Sequence, residues 1–366
     1  MKRRFLTFLA VLFLLGSLAT VSAADVVDEQ SRALGLDKLE RAAGEYSPGG
    51  DVAGIDLDDG LQDLLDTGSG EIMGVVRKAV RSGVLLLVVV LLCGLAEGAY
   101  AGAEGGNSVQ VVPIVGALAI TAISVADVNS LIGMGRQALE QMEAFSKVLL
   151  PTMAVATAAS GAPGGAAARQ LATMLFSNVL LSLIAHLLLP LVYAYIAACV
   201  AHAAIGNEGL KRIAGTLKWV VTSVLTVLLI GFVGYLTVSG VIAGTADAVA
   251  VKTAKFAVSS MVPVVGSILS DAAETVLAGA GILKNAVGVF GMLVILSMCL
   301  VPFLQLGVHY LTYKVTAALS ATVAEGRVAG LIDGIGGAFG LILGMTGASA
   351  TLLLVSMVSA VSLVAA

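Results

Sequence analysis

Long apolar runs broken by short charged stretches set the plan of this chain. Val84 to Tyr100, Val109 to Ala126, Leu171 to Ala204, Trp219 to Val238, Ala286 to Val308 and Ile335 to Val364 are the longest of these runs. Each meets or exceeds the roughly 17–25 apolar residues that a helix needs to cross a bilayer. They predict six transmembrane helices. Val148 to Ala159 is too short to cross and carries Pro151 near its start, so it reads as a re-entrant or interfacial helix. The run at 171–204 holds one tilted or kinked span around Pro190. The predicted fold class is an all-α polytopic integral membrane protein.

Composition agrees. Of 366 residues, 58% are hydrophobic and 12% charged, about half the charge of an average soluble domain, which is roughly 25%. The mean hydropathy is +1.01. Glycine is abundant, and small residues let helices approach closely in lipid. At the start, Lys2, Arg3 and Arg4 precede an apolar stretch from Phe5 to Ala19, and Val21-Ser22-Ala23 offers small residues for cleavage. Residues 1–23 therefore read as a signal peptide that exports the adjoining segment. Residues 24–83 read as that exported acidic segment and a juxtamembrane helix. Up to Glu71 the segment has only Arg32, Lys38 and Arg41 as basic residues. The remaining units are a two-span region at 84–144, a membrane repeat at 145–240, and a charged interlude with a second repeat at 241–366. The net charge of −4 gives no footprint for nucleic acid.

Loop charge sets the expected orientation. Lys211, Arg212 and Lys218 outweigh Glu208 in the loop at 205–218, which predicts a cytoplasmic side. Counting outward from there, the charged interlude faces the exterior and His309 to Arg327 returns to the cytoplasm. Arg77, Lys78 and Arg81 argue the other way, since they flank the first span on its outer side.

Two parts of the chain resemble each other. Pro151 and Pro190 are 39 residues apart, as are Pro263 and Pro302. Glu208-Gly209 precedes Arg212-Ile213-Ala214-Gly215, and Glu325-Gly326 precedes Arg327-Val328-Ala329-Gly330. Each unit contains two spans, so the copies share one orientation and form a parallel repeat.

The interlude at 247–288 carries Asp247, Lys252, Lys255, Asp271, Glu274 and Lys284 between membrane-like runs. A charge at the bilayer centre costs at least about 2.5–3.5 kcal/mol, so something other than lipid should meet this segment. Projected as a helix from Val264 to Lys284, it places Ile268, Ala272, Val276, Gly279 and Leu283 on one stripe and Asp271 and Glu274 opposite. Three roles fit such a helix: lying on the outer membrane surface, lining an aqueous lumen, or packing on a partner. Lys252, Lys255, Asp271, Glu274 and Lys284 are the candidate partner or lumen contacts. In the last run, Gly330, Gly334, Gly336, Gly340 and Gly344 contain three GxxxG spacings and predict close helix packing, within the chain or between two copies. Catalytic and phosphate-binding motifs are absent, and no cofactor is expected. His186, His202 and His309 lack partner spacing, and Cys93, Cys199 and Cys299 are scattered through apolar runs.

One stretch resembles a known family. Val251-Lys252-Thr253-Ala254-Lys255-Phe256, Pro263-Val264-Val265-Gly266, Asp271-Ala272, Thr275-Val276-Leu277, Leu283-Lys284-Asn285 and Val287-Gly288 succeed one another as in the stage III sporulation protein AE family of endospore-forming bacteria. The resemblance implies a multi-pass protein of the mother-cell membrane around the engulfed forespore. Implied partners are the other membrane proteins of the stage III sporulation A operon and, indirectly, stage II sporulation protein Q of the forespore. Together these are thought to build a channel or secretion-like complex needed after engulfment and for late forespore sigma-factor G activity. The family has no established catalytic residues, so the implied role is non-enzymatic. The alternative, drawn from the repeat and the proline-broken runs, is a stand-alone transporter of small solutes.

Overall fold

The computed structural model describes residues 30–47, 52, 55–101, 111–160, 164–243, 265–323 and 326–362, and these contain no strand. The signal peptide, Lys252 and Lys255 lie outside the described residues. A short helix α1 (Leu36–Ala43) precedes five long ones: α2 (Leu57–Ala101), α3 (Val111–Ala159), α6 (Glu208–Ala243), α7 (Val265–Ser320) and α8 (Gly326–Ser362). Between α3 and α6 runs a single rod, α4 (Gly164–Leu183), a π-helical turn (Ile184–Leu188) and α5 (Leu189–Ile205). Helices dominate because lipid offers the backbone no partner, so each N–H and C=O must bond within its own segment. Six of these helices are long and apolar enough to cross a membrane.

The crossings alternate in direction. Gly336, Gly340 and Gly347 of α8 face Tyr313, Tyr310 and Phe303 of α7, so the two helices form an antiparallel hairpin. The rod and α6 form a second hairpin, with Phe176 stacked on Phe232 at 6.0 Å. Tyr195 and Cys199 of α5 meet Gly334 of α8, while Leu225 of α6 meets Gly344. The two hairpins therefore stand side by side with their turns at the same end. Gly116 of α3 meets Cys93 of α2 and Val328 of α8, which brings the α2–α3 connection to that end as well.

Several expectations need correction. Val148 to Ala159 is no separate re-entrant element, because α3 runs unbroken through it with Pro151 inside the helix. Thr152 Oγ1 donates to the Val148 carbonyl at 2.9 Å, and Leu149 and Met153 pack on Gly291 and Gly288 of α7. Neighbouring helices and hydroxyl side chains let a membrane helix tolerate proline in this way. The π-helical turn serves the same end ahead of Pro190, whose ring would collide with the carbonyl four residues back in a regular helix. The stretch from His309 is not a loop either. Helix α7 continues to Ser320, and His309, Tyr313 and Thr316 are buried. Arg77, Lys78 and Arg81 lie inside α2 rather than at its end. They adjoin the apolar run that starts at Val84 and still argue against the orientation read from the loop at 205–218. Part of the acidic segment is built into the bundle: α1 docks on α3, and its Leu36, Leu39 and Ala43 are buried.

The core is mostly apolar but holds paired polar groups. Tyr313 Oη donates to Asp127 Oδ2 at 2.9 Å, and both residues are buried. Tyr313→Phe would leave that carboxylate without its donor, so the unfolding free energy should fall by about 1–3 kcal/mol. An unchanged midpoint in detergent unfolding would show that the bond contributes nothing.

A charged face on a membrane-crossing helix

The middle of α3 is charged, in a helix long and apolar enough to cross a membrane. Arg136, Glu140, Glu143 and Lys147 recur at spacings of four, three and four residues, and so share one side of the helix. Their level in the bundle is set by neighbouring contacts. Gly135 touches Leu306 of α7 and Leu149 touches Gly291, so the charges stand alongside residues 291–306. That stretch lies in the helix whose candidate span has the highest hydropathy of the six.

The outward surface of α3 confirms the change of environment. Its exposed large apolar residues are Ile114, Val115, Leu118 and Val125, with none further along until Val155. At the corresponding level α6 exposes Val227, Ile230 and Val233. One side of the bundle therefore suits lipid and the α3 side does not.

The charges are arranged in pairs. Arg136 Nε donates to Glu140 Oε1 at 2.7 Å, with both side chains more than half exposed. Lys147 Nζ lies 2.9 Å from Glu143 Oε1. On the other carboxylate oxygen of Glu143, His186 Nδ1 stands 3.8 Å away, projecting from the π-helical turn. The Glu143 side chain is only 9% exposed, so it is the buried anchor between an exposed lysine and an exposed histidine. Ser146 Oγ reaches Asn178 Oδ1 at 3.0 Å and continues the polar contact onto α4. Four ionisable groups facing hydrocarbon would cost on the order of 10 kcal/mol. Pairing reduces that figure, but the outer ends of Arg136, Glu140, Lys147 and His186 still need water or another protein.

A second polar feature lies where the start of α2 runs along α7. Asp66, Thr67, Glu71 and Lys78 line a groove of about 600 Å³ with Gln305 and His309. His309 Nδ1 bonds to the Gln305 carbonyl at 2.8 Å. Its Nε2 is buried with no hydrogen-bond partner among the described residues.

The residues expected from sequence divide. Asp271 and Glu274 lie on the first turns of α7, three residues apart on a continuous helix. The amphipathic segment is thus the leading end of a span rather than a separate surface helix. Lys284 is not a lumen or partner contact. It is 1% exposed, and its Nζ donates to the Val361 carbonyl of α8 at 2.8 Å. The ammonium satisfies a carbonyl near the helix C-terminus, where a cation is favoured. The glycines of α8 pack inside the chain: Gly336 and Gly340 on α7, Gly334 on α5 and Gly344 on α6, while Gly330 meets open space. His202 Nδ1 bonds to the Asn207 carbonyl at 2.9 Å and braces the α5–α6 turn. Sequence reasoning missed the charged face itself, although the spacing of Arg136, Glu140, Glu143 and Lys147 is visible in the sequence.

Six membrane-crossing helices, with charges gathered on one face at the level of apolar neighbours, define a polytopic membrane protein with a polar side. Over residues 54–364 the chain matches the model of stage III sporulation protein AE, and it belongs to that family. The family places it in sporulation. Stage III sporulation protein AE of Bacillus subtilis (strain 168) is 26% identical over 202 residues, 55% of this chain and 51% of that protein. The chain thus spans about half the length of that relative. No solved structure matches it.

Proposed function

We propose that this protein is a non-enzymatic membrane subunit of a channel or secretion-like complex between mother cell and forespore. It resides in the mother-cell membrane around the forespore and supports development after engulfment, including late forespore sigma-factor G activity. Its partners are the other membrane proteins of the stage III sporulation A operon and, through them, stage II sporulation protein Q. The observation that carries this reading is the charged face of α3, which suits a protein partner or an aqueous path and does not suit lipid. The turns with Lys211, Arg212, Lys218 and Arg327 face the mother-cell cytoplasm in this reading. Asp271 and Glu274, with Lys252 and Lys255, face the space between the two membranes and offer further contacts.

Deletion of the gene in its host should stop sporulation after engulfment, with a sigma-factor G reporter remaining dark in the forespore. Normal heat-resistant spores would overturn the proposal. Movement of a small solute by the purified protein alone in liposomes would favour the transporter reading instead.

A further inference from the structure

The polar groove between α2 and α7 holds a buried acceptor that nothing in the bundle satisfies. Its α2 wall is two rows spaced by four residues, Asp66-Gly70-Gly74-Lys78 and Thr67-Glu71-Val75, and its α7 wall is Gln305 and His309. Residues at that spacing share one side of a helix. We propose that this groove binds a primary ammonium group, that of a free amine or of an ethanolamine phospholipid.

His309 is the first argument. It is 1% exposed, and its Nδ1 stands 2.8 Å from the Gln305 carbonyl oxygen. That oxygen only accepts, so Nδ1 carries the hydrogen. In the neutral ring Nε2 is then an acceptor, and it is buried with no hydrogen-bond partner among the described residues. A buried acceptor left unpaired is costly. With Nδ1 turned to its own helix, the Nε2 edge is the one left for an occupant of the groove, and that occupant must donate.

Charge narrows the donor. Asp66, Glu71 and Lys78 form no ion pair among the described residues. Of the basic residues Arg77, Lys78 and Arg81, only Lys78 lines the groove. Two carboxylates and one ammonium leave one negative charge, which a single cation neutralises. A primary ammonium supplies that charge with three N–H donors, enough to serve Nε2 and a carboxylate together. A metal ion fits less well, because no three His, Cys, Asp or Glu side chains among the described residues gather to hold one.

The α2 wall leaves room for it. An added Cβ at Gly70 or at Gly74 meets nothing within 4 Å, so both glycines border open space in the groove. Leu65, Met73 and Val80 are exposed on the same part of α2. They give an acyl chain apolar surface beside the polar lining, so the ammonium of a lipid headgroup fits as well as that of a free solute.

The test uses the purified full-length chain. One arm titrates ethanolamine and choline into the protein in a nonionic detergent and reads binding by saturation-transfer NMR. Choline keeps the positive charge but has no N–H to donate. The other arm places the protein in nanodiscs of mixed phosphatidylethanolamine and phosphatidylcholine and reads retained lipid by native mass spectrometry. The ethanolamine form should be preferred about tenfold over the choline form. Glu71→Gln, and His309→Phe, which keeps a ring but removes Nε2, should each weaken its binding about tenfold. Gly74→Leu, which keeps every charge, should reduce binding by filling the groove, and the exposed control Asp37→Asn should not change it. Loss of phosphatidylethanolamine alone in these variants assigns the ammonium to lipid, whereas matching loss of ethanolamine assigns it to a free amine. Equal binding of ethanolamine and choline forms would overturn the site, as would binding that the three groove variants leave unchanged, or no amine binding in either arm. Glu71 and Gly74 are exposed, so their variants decide the question if His309→Phe does not fold.

Discussion

A chain carrying Arg136→Leu and Glu140→Leu should insert and fold normally yet leave its host poor in heat-resistant spores. The pair is more than half exposed, and exposed ion pairs contribute only about 0.2–1 kcal/mol. Stability in detergent should therefore stay within that range of wild type. Function should respond differently. If the face docks on a partner subunit, losing both charges costs about 2 kcal/mol or more of association, which is over tenfold in complex formation. If it lines an aqueous path, leucine dewets the wall. Spore counts are read beside protein level and detergent melting. A normal spore count with unchanged melting would remove the α3 face from the mechanism.

Gly336→Leu should open the α7–α8 hairpin. An added Cβ at Gly336 would stand 2.9 Å from Tyr313 Cβ and 3.6 Å from the Lys314 backbone nitrogen, so the obstruction is next to the main chain and cannot swing aside. Overpacking of this kind typically costs 1–3 kcal/mol and more when the backbone must shift, so a loss of about 3 kcal/mol is expected. Gly330→Leu is the comparison, since nothing lies within 4 Å of its added Cβ. Detergent unfolding should show an early midpoint for Gly336→Leu and little change for Gly330→Leu. Equal midpoints would show that the two glycines are not used differently.

Apolar length carries some of this architecture and not the rest. Six crossings are legible because a chain in lipid must satisfy its own backbone, and long apolar runs do so only as helices. Length does not show that a helix persists through charge. The residues between Val125 and Val148 look like a loop when hydropathy alone is read, yet they fill the middle of α3: Arg136 to Lys147 is rich in helix formers, and packing on α7 and α8 carries the helix past Gly135. Lys284 shows a related limit. Its charge suggests a surface, but the flexible stem lets the ammonium reach the Val361 carbonyl within the bundle. Glycine spacing marks small faces without naming their occupants. Helix α8 has two such faces, one for α7 and one for the other hairpin. The meeting of the two hairpin turns is half legible: the matching segments are visible as a pattern, but only their packing brings Arg327 against Gly206.

The length of α7 has a mechanical consequence. Its 56 residues make a rod of roughly 84 Å at 1.5 Å per residue, against a hydrocarbon core of about 30 Å. A tilt of about five degrees, pivoting at the hairpin turn, would carry the opposite end through roughly 7 Å over that length. The far end is the one that bears Asp271 and Glu274. The hairpin partner α8 runs beside it through Val361, so the two would swing as a stiff beam. A disturbance at one membrane surface can thus be transmitted to the other as leverage, without any helix having to unfold.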